Sequence, residues 1–157
     1  MGLYLKDISA ILYDFDGVMT DNTAMLFADG SESVRINRSD GLAVQMFSKC
    51  SIIQAIITSE HSLIADKRAE KLKIPVIHTD NKLVAAQRFL SLNDVLFDTT
   101  CFIGNDLNDI LLLQKVAFPI CPEDAYIQVK SICKLILPVK GGCGVIRSLW
   151  EVVNNGC

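Results

Sequence analysis

The chain has 157 residues, half of them apolar and 21% charged, with a net charge of −3. That is about one domain's length, enough to bury roughly 70% of the unfolded surface without staples, and the composition excludes disorder and low complexity. The acidic balance without a Lys/Arg-rich run argues against nucleic-acid binding, and no uncharged apolar run approaches the ~20 residues of a membrane span, despite a mean hydropathy of +0.34.

The opening residues, Met1 to Asp7, carry an acid early and lead straight into a strand-like segment, which is not the pattern of a signal peptide. Cys50, Cys101, Cys121, Cys133, Cys143 and Cys157 include no CxxC pair, and most sit in apolar stretches. The expectation is a cytoplasmic protein with buried, reduced thiols, free of disulfides and of a zinc site.

Short β-branched runs predict strands over 8–13, 52–57, 76–78, 101–103, 116–120 and 135–137. Amphipathic stretches predict helices over 41–50, 62–72, 82–90, 107–114, 123–130 and 144–153, with Asp40 placed as the N-cap of the first. Strands alternating with helices imply a parallel sheet covered on both faces, an α/β doubly wound architecture. One segment breaks the rhythm. Residues 23–27 and 32–36 flank Asp29-Gly30, a dipeptide that favours a tight turn, so a β-hairpin flap over about 22–38 is predicted between the first strand and the first helix. No linker or repeat divides the chain, and residues 1–157 read as one domain.

Ligands of an open α/β sheet bind beyond the carboxyl ends of its strands. There the sequence places Asp14-Phe-Asp16-Gly17-Val-Met-Thr20-Asp21, then Thr58-Ser59, and then Gly104-Asn105-Asp106-Leu-Asn108-Asp109, with Lys82 on the first turn of a helix. Carboxylates gathered from two strand ends repel unless a cation sits between them, and Mg²⁺ suits one or two carboxylates plus waters and a phosphate. An aspartate so screened can attack phosphorus, and a second, two residues on, can protonate the leaving oxygen and then activate water. Thr58 can donate to the phosphoryl group, and Lys82 can neutralise charge on its oxygens.

These residues resemble the four motifs of the haloacid dehalogenase-like (HAD-like) phosphatases, in order and spacing, over residues 11 to 109. Within that superfamily the chain resembles the small branch without a large cap, which includes phosphatases of 3-deoxy-D-manno-octulosonate 8-phosphate (Kdo 8-phosphate) and of nine-carbon sialic-type acid 9-phosphates. The Asp29-Gly30 hairpin, Asn37-Arg38-Ser39-Asp40-Gly41, Asn81-Lys82-Leu83 and Gly141-Gly142-Cys143-Gly144-Val145-Ile146-Arg147 extend the likeness to nearly the whole chain. The resemblance implies a Rossmann-like HAD domain and an Mg²⁺-dependent phosphomonoesterase acting on a small phosphorylated sugar acid, a step of lipopolysaccharide or sialic acid metabolism. Asp14 would be the nucleophile and Asp16 the general acid/base, with Thr58 and Lys82 completing the catalytic set. Asp14 and the Asp16 carbonyl would hold the metal, and Asn37, Arg38, Ser39, Asp40, Gly41, Ser59, Glu60, Arg68 and Lys71 would face substrate. In that family the hairpins of a ring-shaped homotetramer help to close the neighbouring site.

Two departures stand out. The family's aspartate after the glycine of the fourth motif is Asn105 here. An amide oxygen can coordinate Mg²⁺ but brings no charge, so weaker affinity is expected, with Asp106 or Asp109 compensating directly or through water. After Thr58, Kdo 8-phosphate phosphatases tend to carry arginine, whereas Ser59-Glu60 and Arg68-Ala-Glu-Lys71-Leu resemble the nine-carbon branch. Glu60 and Lys71 are almost three helical turns apart, about 16 Å, too far to pair. Asp21 reads equally as a loop-orienting or a turn-capping residue, and Asp109 as metal shell or first-turn acid. His61 and His78 read as a helix-start and a strand-end residue, and 141–144 as a tight backbone turn. The alternative reading is a catalytically weak or inactive oligomerisation module associated with sialic acid cytidylyltransferases. A phosphoaspartate receiver fits less well, since receivers lack the second aspartate of the DxD pair.

Overall fold

Strands that read as unbroken apolar runs do so because both faces are covered. In the computed structural model, which describes residues 3–154, β1 (Ala10–Tyr13) sends Ile11 and Tyr13 into one core and Ala10 and Leu12 into the other, all fully buried. The hairpin follows as β2 (Met25–Leu26) and β3 (Glu32–Ser33), then α1 (Arg38–Lys49), β4 (Ile53–Thr58), α2 (Leu63–Leu72) and β5 (Val76–His78). The second half comprises α3 (Lys82–Leu92), β6 (Thr100–Ile103), α4 (Ile110–Leu113), β7 (Phe118–Pro122), α5 (Ile127–Lys130), β8 (Leu135–Leu137) and α6 (Val145–Asn154).

Six strands pair in parallel in the order β5-β4-β1-β6-β7-β8, and β2 and β3 form a separate antiparallel pair. Without the hairpin this is the doubly wound order, whose direction of winding reverses between β1 and β6. Helices α1, α2 and α6 pack Val44, Phe47, Ala69, Leu149 and Trp150 on one face. Helices α3, α4 and α5 pack Leu90, Leu112 and Val129 on the other. Among the described residues no helix is long and apolar enough to cross a membrane.

Local chemistry moves several expected boundaries. Asn37, not Asp40, caps α1: its side chain accepts the Ser39 N–H, so the helix starts at Arg38 and Asp40 falls on its inward face. The segment 107–114 opens as a 3₁₀ turn over Leu107–Asp109 before α4, and the stretch 123–130 is helical only over α5. Each hairpin strand holds two exposed residues, since neither face is buried against a core. At its tip Gly30 has φ +84°, and Asp29 Oδ1 accepts from the Ser31 N–H and hydroxyl at 2.9 and 2.6 Å. The five described cysteines are free, but among them only Cys101 and Cys121 are buried. Cys50 and Cys143 are exposed, Cys133 is intermediate, and Cys157 lies outside the described residues.

The α1–α6 contact is an edge-to-face pair, Phe47 against Trp150, with ring centroids 5.1 Å apart. Phe47→Ala is expected to cost about 3–5 kcal/mol, read as a lower urea midpoint with an unchanged slope. Fluorescence of Trp150, the chain's single tryptophan, should report loss of this contact directly.

Candidate active site

Because Tyr13 and Ile103 are register partners, the ends of β1 and β6 bring Asp14 beside Gly104 and Asn105. The Asp14 N–H donates to the Ile103 carbonyl at 2.9 Å. Thr58 ends β4, the strand on the other side of β1, and Lys82 opens α3, whose N-cap Asn81 accepts the Val84 N–H. The motifs thus converge on a cleft of about 180 Å³ whose walls include Asp14, Asp16, Thr58, Ser59, Glu60 and Asn105, completed by Asp106, Asn22 and Asn108.

Beneath the cleft Lys82, 3% exposed, bridges Asp14 Oδ1 at 2.8 Å and Asp109 Oδ1 at 2.7 Å. The other Asp109 oxygen accepts the N–H groups of Asn105 (2.8 Å) and Asp106 (3.2 Å). Asp109 therefore ties the lysine to the loop after β6. With both carboxylates ionised, they and the one ammonium would leave one net negative charge in a site nearly closed to water. Burial, and then the charge of Asp109, pushes Asp14 up to about 8 against the pull of Lys82. Burial alone would lower Lys82, but the two carboxylates outweigh it and hold the ammonium above its usual range. Asp16, half-buried, is raised chiefly by burial, opposed by the Thr20 hydroxyl that donates to its Oδ1 at 3.1 Å. Thr58 Oγ1 accepts the Glu60 N–H at 3.2 Å, leaving its own hydrogen to donate into the cleft.

The Asn105 amide oxygen faces two other acceptors, the Asp16 carbonyl at 2.9 Å and Asp14 Oδ2 at 3.2 Å. These two separations are close to the ~3 Å between neighbouring ligands of an octahedron whose ligands stand ~2.1 Å from a small divalent cation. Turned over, the amide would instead donate to both oxygens, so this side chain can satisfy the site with or without an ion. Gly17, at φ +80°, makes the approach possible, since a Cβ there would overlap the amide. Among the described residues no trio of His, Cys, Asp or Glu side chains is arranged around an ion. The candidate set is mixed: one carboxylate, one amide and one backbone carbonyl.

Other expected site residues lie elsewhere. Asp109 commits both oxygens to Lys82 and the loop N–H groups, so it supports the site from outside the cleft wall. Asp106 lines the cleft while its Oδ1 caps the Leu107 N–H at 2.6 Å. Asn37, Arg38, Ser39, Asp40, Gly41, Arg68 and Lys71 are absent from the cleft wall. Asp40 is wholly buried and accepts the Arg147 N–H, and buried Arg68 donates to the Asn37 carbonyl at 3.0 Å. Glu60 sits in the loop before α2, so it shares no helical face with exposed Lys71. Asp21 takes the turn role, accepting from Thr23 and pairing with Arg35 at 3.2 Å. Sequence reasoning missed Asn22, whose φ of +63° places it at the cleft, and the part played by 141–144. A Cβ on Gly141 would collide with the Gly17 carbonyl, and the Gly142 N–H donates to the Val18 carbonyl at 3.0 Å, so this turn backs the loop that follows β1.

No protein-family model matches the sequence. A solved structure of a protein assigned to the HAD family of hydrolases, from Streptomyces avermitilis, is 30% identical with a TM-score of 0.95, over 98% of this chain and 88% of that one. The chain belongs to the HAD hydrolases. Among its relatives is 3-deoxy-D-manno-octulosonate 8-phosphate phosphatase KdsC of Yersinia pestis, 26% identical over 149 residues, which are 94% of this chain and 80% of that protein. The corresponding phosphatase of Moraxella catarrhalis, solved with magnesium, phosphate and KDO, is 28% identical with a TM-score of 0.90, over 96% of this chain and 90% of that one.

In this HAD chain Asp40 also makes a pH prediction. Burial raises it from its usual 3.8 to about 6, against the Arg147 and Ile146 N–H groups and the Arg68 charge, and its Oδ2 has no partner. Between those values the native state keeps a proton that the unfolded chain has shed, so stability falls as pH rises through the window, and the full penalty of at most about 3 kcal/mol stands above pH 6. Asp40→Asn should therefore gain more urea stability over wild type at pH 8 than at pH 4. Any pH-independent cost of the new amide cancels from that difference.

Proposed function

We propose that this HAD hydrolase is an Mg²⁺-dependent phosphomonoesterase of 2-keto-3-deoxy sugar acid phosphates. The observation that carries the reading is the buried Asp14–Lys82–Asp109 system, placed with Asp16 and Thr58 around one strand-end cleft. Asp14 is the nucleophile, and its carboxylate oxygen bonds to phosphorus as the substrate's ester oxygen leaves. Asp16, whose carboxyl is raised above its usual range chiefly by burial, gives a proton to that oxygen, then removes one from the water that attacks the aspartyl-phosphate. Inorganic phosphate leaves and Asp14 is restored. Thr58 donates to a phosphoryl oxygen and Lys82 balances the charge gathered there. The Asp14 carboxylate, the Asp16 carbonyl and the Asn105 amide would hold Mg²⁺, which when bound screens the anionic nucleophile from the anionic phosphoryl group. Asp106 stands on the cleft wall as an outer partner.

Support for the substrate class comes from the relatives, which are named for Kdo 8-phosphate. Within it, the exposed Glu60 carboxylate at the cleft favours a nine-carbon sialic-type acid, whose additional hydroxyls can donate to it. The whole chain acts as one domain without a large cap, its hairpin serving as a flap. Met25 and Leu26 on that hairpin are 64% and 69% exposed, which supports a homotetramer in which each flap covers a neighbouring copy. A purely structural module would have no use for an ion-paired lysine buried under a cleft, and that weighs against the non-catalytic reading.

Phosphate release from Kdo 8-phosphate or a sialic-type acid 9-phosphate should stop with EDTA and return with Mg²⁺. Asp14→Asn should lose turnover by at least about 10³-fold with an unchanged circular dichroism spectrum, and undiminished release would remove Asp14 as nucleophile. Asn105→Asp should lower the Mg²⁺ concentration for half-maximal activity by about ten-fold, because it adds a charge to the ligand set. Side-by-side kcat/KM values on the two acids decide between eight and nine carbons.

A further inference from the structure

The loop from Thr58 to Ser62 forms one wall of the cleft, and a single side chain outside the cleft holds it. His78 ends β5, where it is the register partner of Thr58 on β4. Its Nδ1 lies 2.8 Å from the Glu60 carbonyl oxygen and its Nε2 lies 2.7 Å from Asp66 Oδ1 on α2. A carbonyl and an ionised carboxylate offer only lone pairs, so both contacts are hydrogen bonds only when both ring nitrogens carry protons. A neutral ring keeps one of them. The groups that face the imidazole are Asp66 from α2, the Glu60 carbonyl, and the His61 ring, which stacks on it with centroids 5.3 Å apart and planes 19° apart. Among the described residues no Lys or Arg pairs with it.

The held loop bears on chemistry at both of its ends. The Glu60 N–H donates to Thr58 Oγ1, the hydroxyl assigned to the phosphoryl group, and Ser59 Oγ accepts from Asn108 on the opposite wall at 3.2 Å. Releasing the Glu60 carbonyl would loosen both connections as well as the carboxylate at the mouth.

We propose that His78 is a positioning residue: as an imidazolium clamped between Asp66 and the Glu60 carbonyl, it sets the loop that binds the substrate's sugar-acid portion, and binding weakens when the ring loses its second proton. The inference deepens the phosphatase reading and rests on it for its kinetic consequence. The Asp66 hydrogen bond lifts the ring above its usual 6.5, against partial burial and with help from the Glu60 carbonyl. The clamp is thus complete below about 6.5 and is lost as pH rises through the raised value.

The test uses the intact protein with ¹⁵N-labelled histidine. Long-range proton–nitrogen NMR at pH 6.5 should show both His78 ring nitrogens protonated, and the backbone amides of Ser59 to Ser62 should shift along the same titration curve. Asp66→Asn is the diagnostic variant, because its amide can donate to the Nε2 of a neutral ring while Nδ1–H keeps the Glu60 carbonyl. In it the loop amides should stop following pH. For Kdo 8-phosphate or the nine-carbon analogue, KM should rise by about five-fold between pH 6 and 9, and Asp66→Asn should flatten that rise while leaving in place the pH dependence of kcat that Asp14 and Asp16 set. A His78 ring with one protonated nitrogen at pH 6.5, or loop amides indifferent to its titration, would overturn the proposal, as would a KM independent of pH in a titrating enzyme. Absence of turnover on either acid would defeat the phosphatase reading alone, since the NMR measurement needs no substrate.

Discussion

Everything at the cleft depends on a lysine buried between two carboxylates. Lys82 alone could not remain charged at 3% exposure, and Asp14 alone could not remain ionised beside Asp109. Together they form a system one positive charge short of neutrality. That excess of negative charge, added to burial, is what pushes Asp14 up to about 8. Asp109 ties the arrangement together, anchoring the lysine and the β6 loop with a separate oxygen for each.

The scaffold supplies this balance through topology. Reversal of the winding between β1 and β6 leaves the ends of two neighbouring strands uncovered, and there backbone geometry, not side-chain reach, sets the spacing of Asp14 and Asn105. Glycines at 17 and 141 let three backbone segments close to distances that any side chain would prevent. The turn of 141–144 supports the loop after β1 from behind, as β4 and β5 support the loop of Glu60 from the side.

Asn105 replaces a charged ligand by an amide that can present either end. With its oxygen inward it completes a set of three oxygens, and with its nitrogen inward it bonds the same two acceptors. An aspartate there would add a third carboxylate to an already electronegative pocket. The amide, turned nitrogen inward, keeps these polar atoms paired with one another.

The sequence alone was enough for the order of strands and helices, because burial on both faces demands continuous apolar runs, and for Asp14, Asp16, Thr58 and Lys82, because strand ends are where polar residues interrupt those runs. It could not reveal that Asp40 is a core residue and Asn37 the cap, since both are good capping side chains and only packing against α6 separates them. Nor could spacing along the chain show that Asp109 is turned inward to Lys82, that Asn22 reaches the cleft, or that His78 lies between Asp66 and the Glu60 carbonyl. Those are meetings between distant segments. Which oxygen faces which proton is settled only when the sheet brings them within 3 Å.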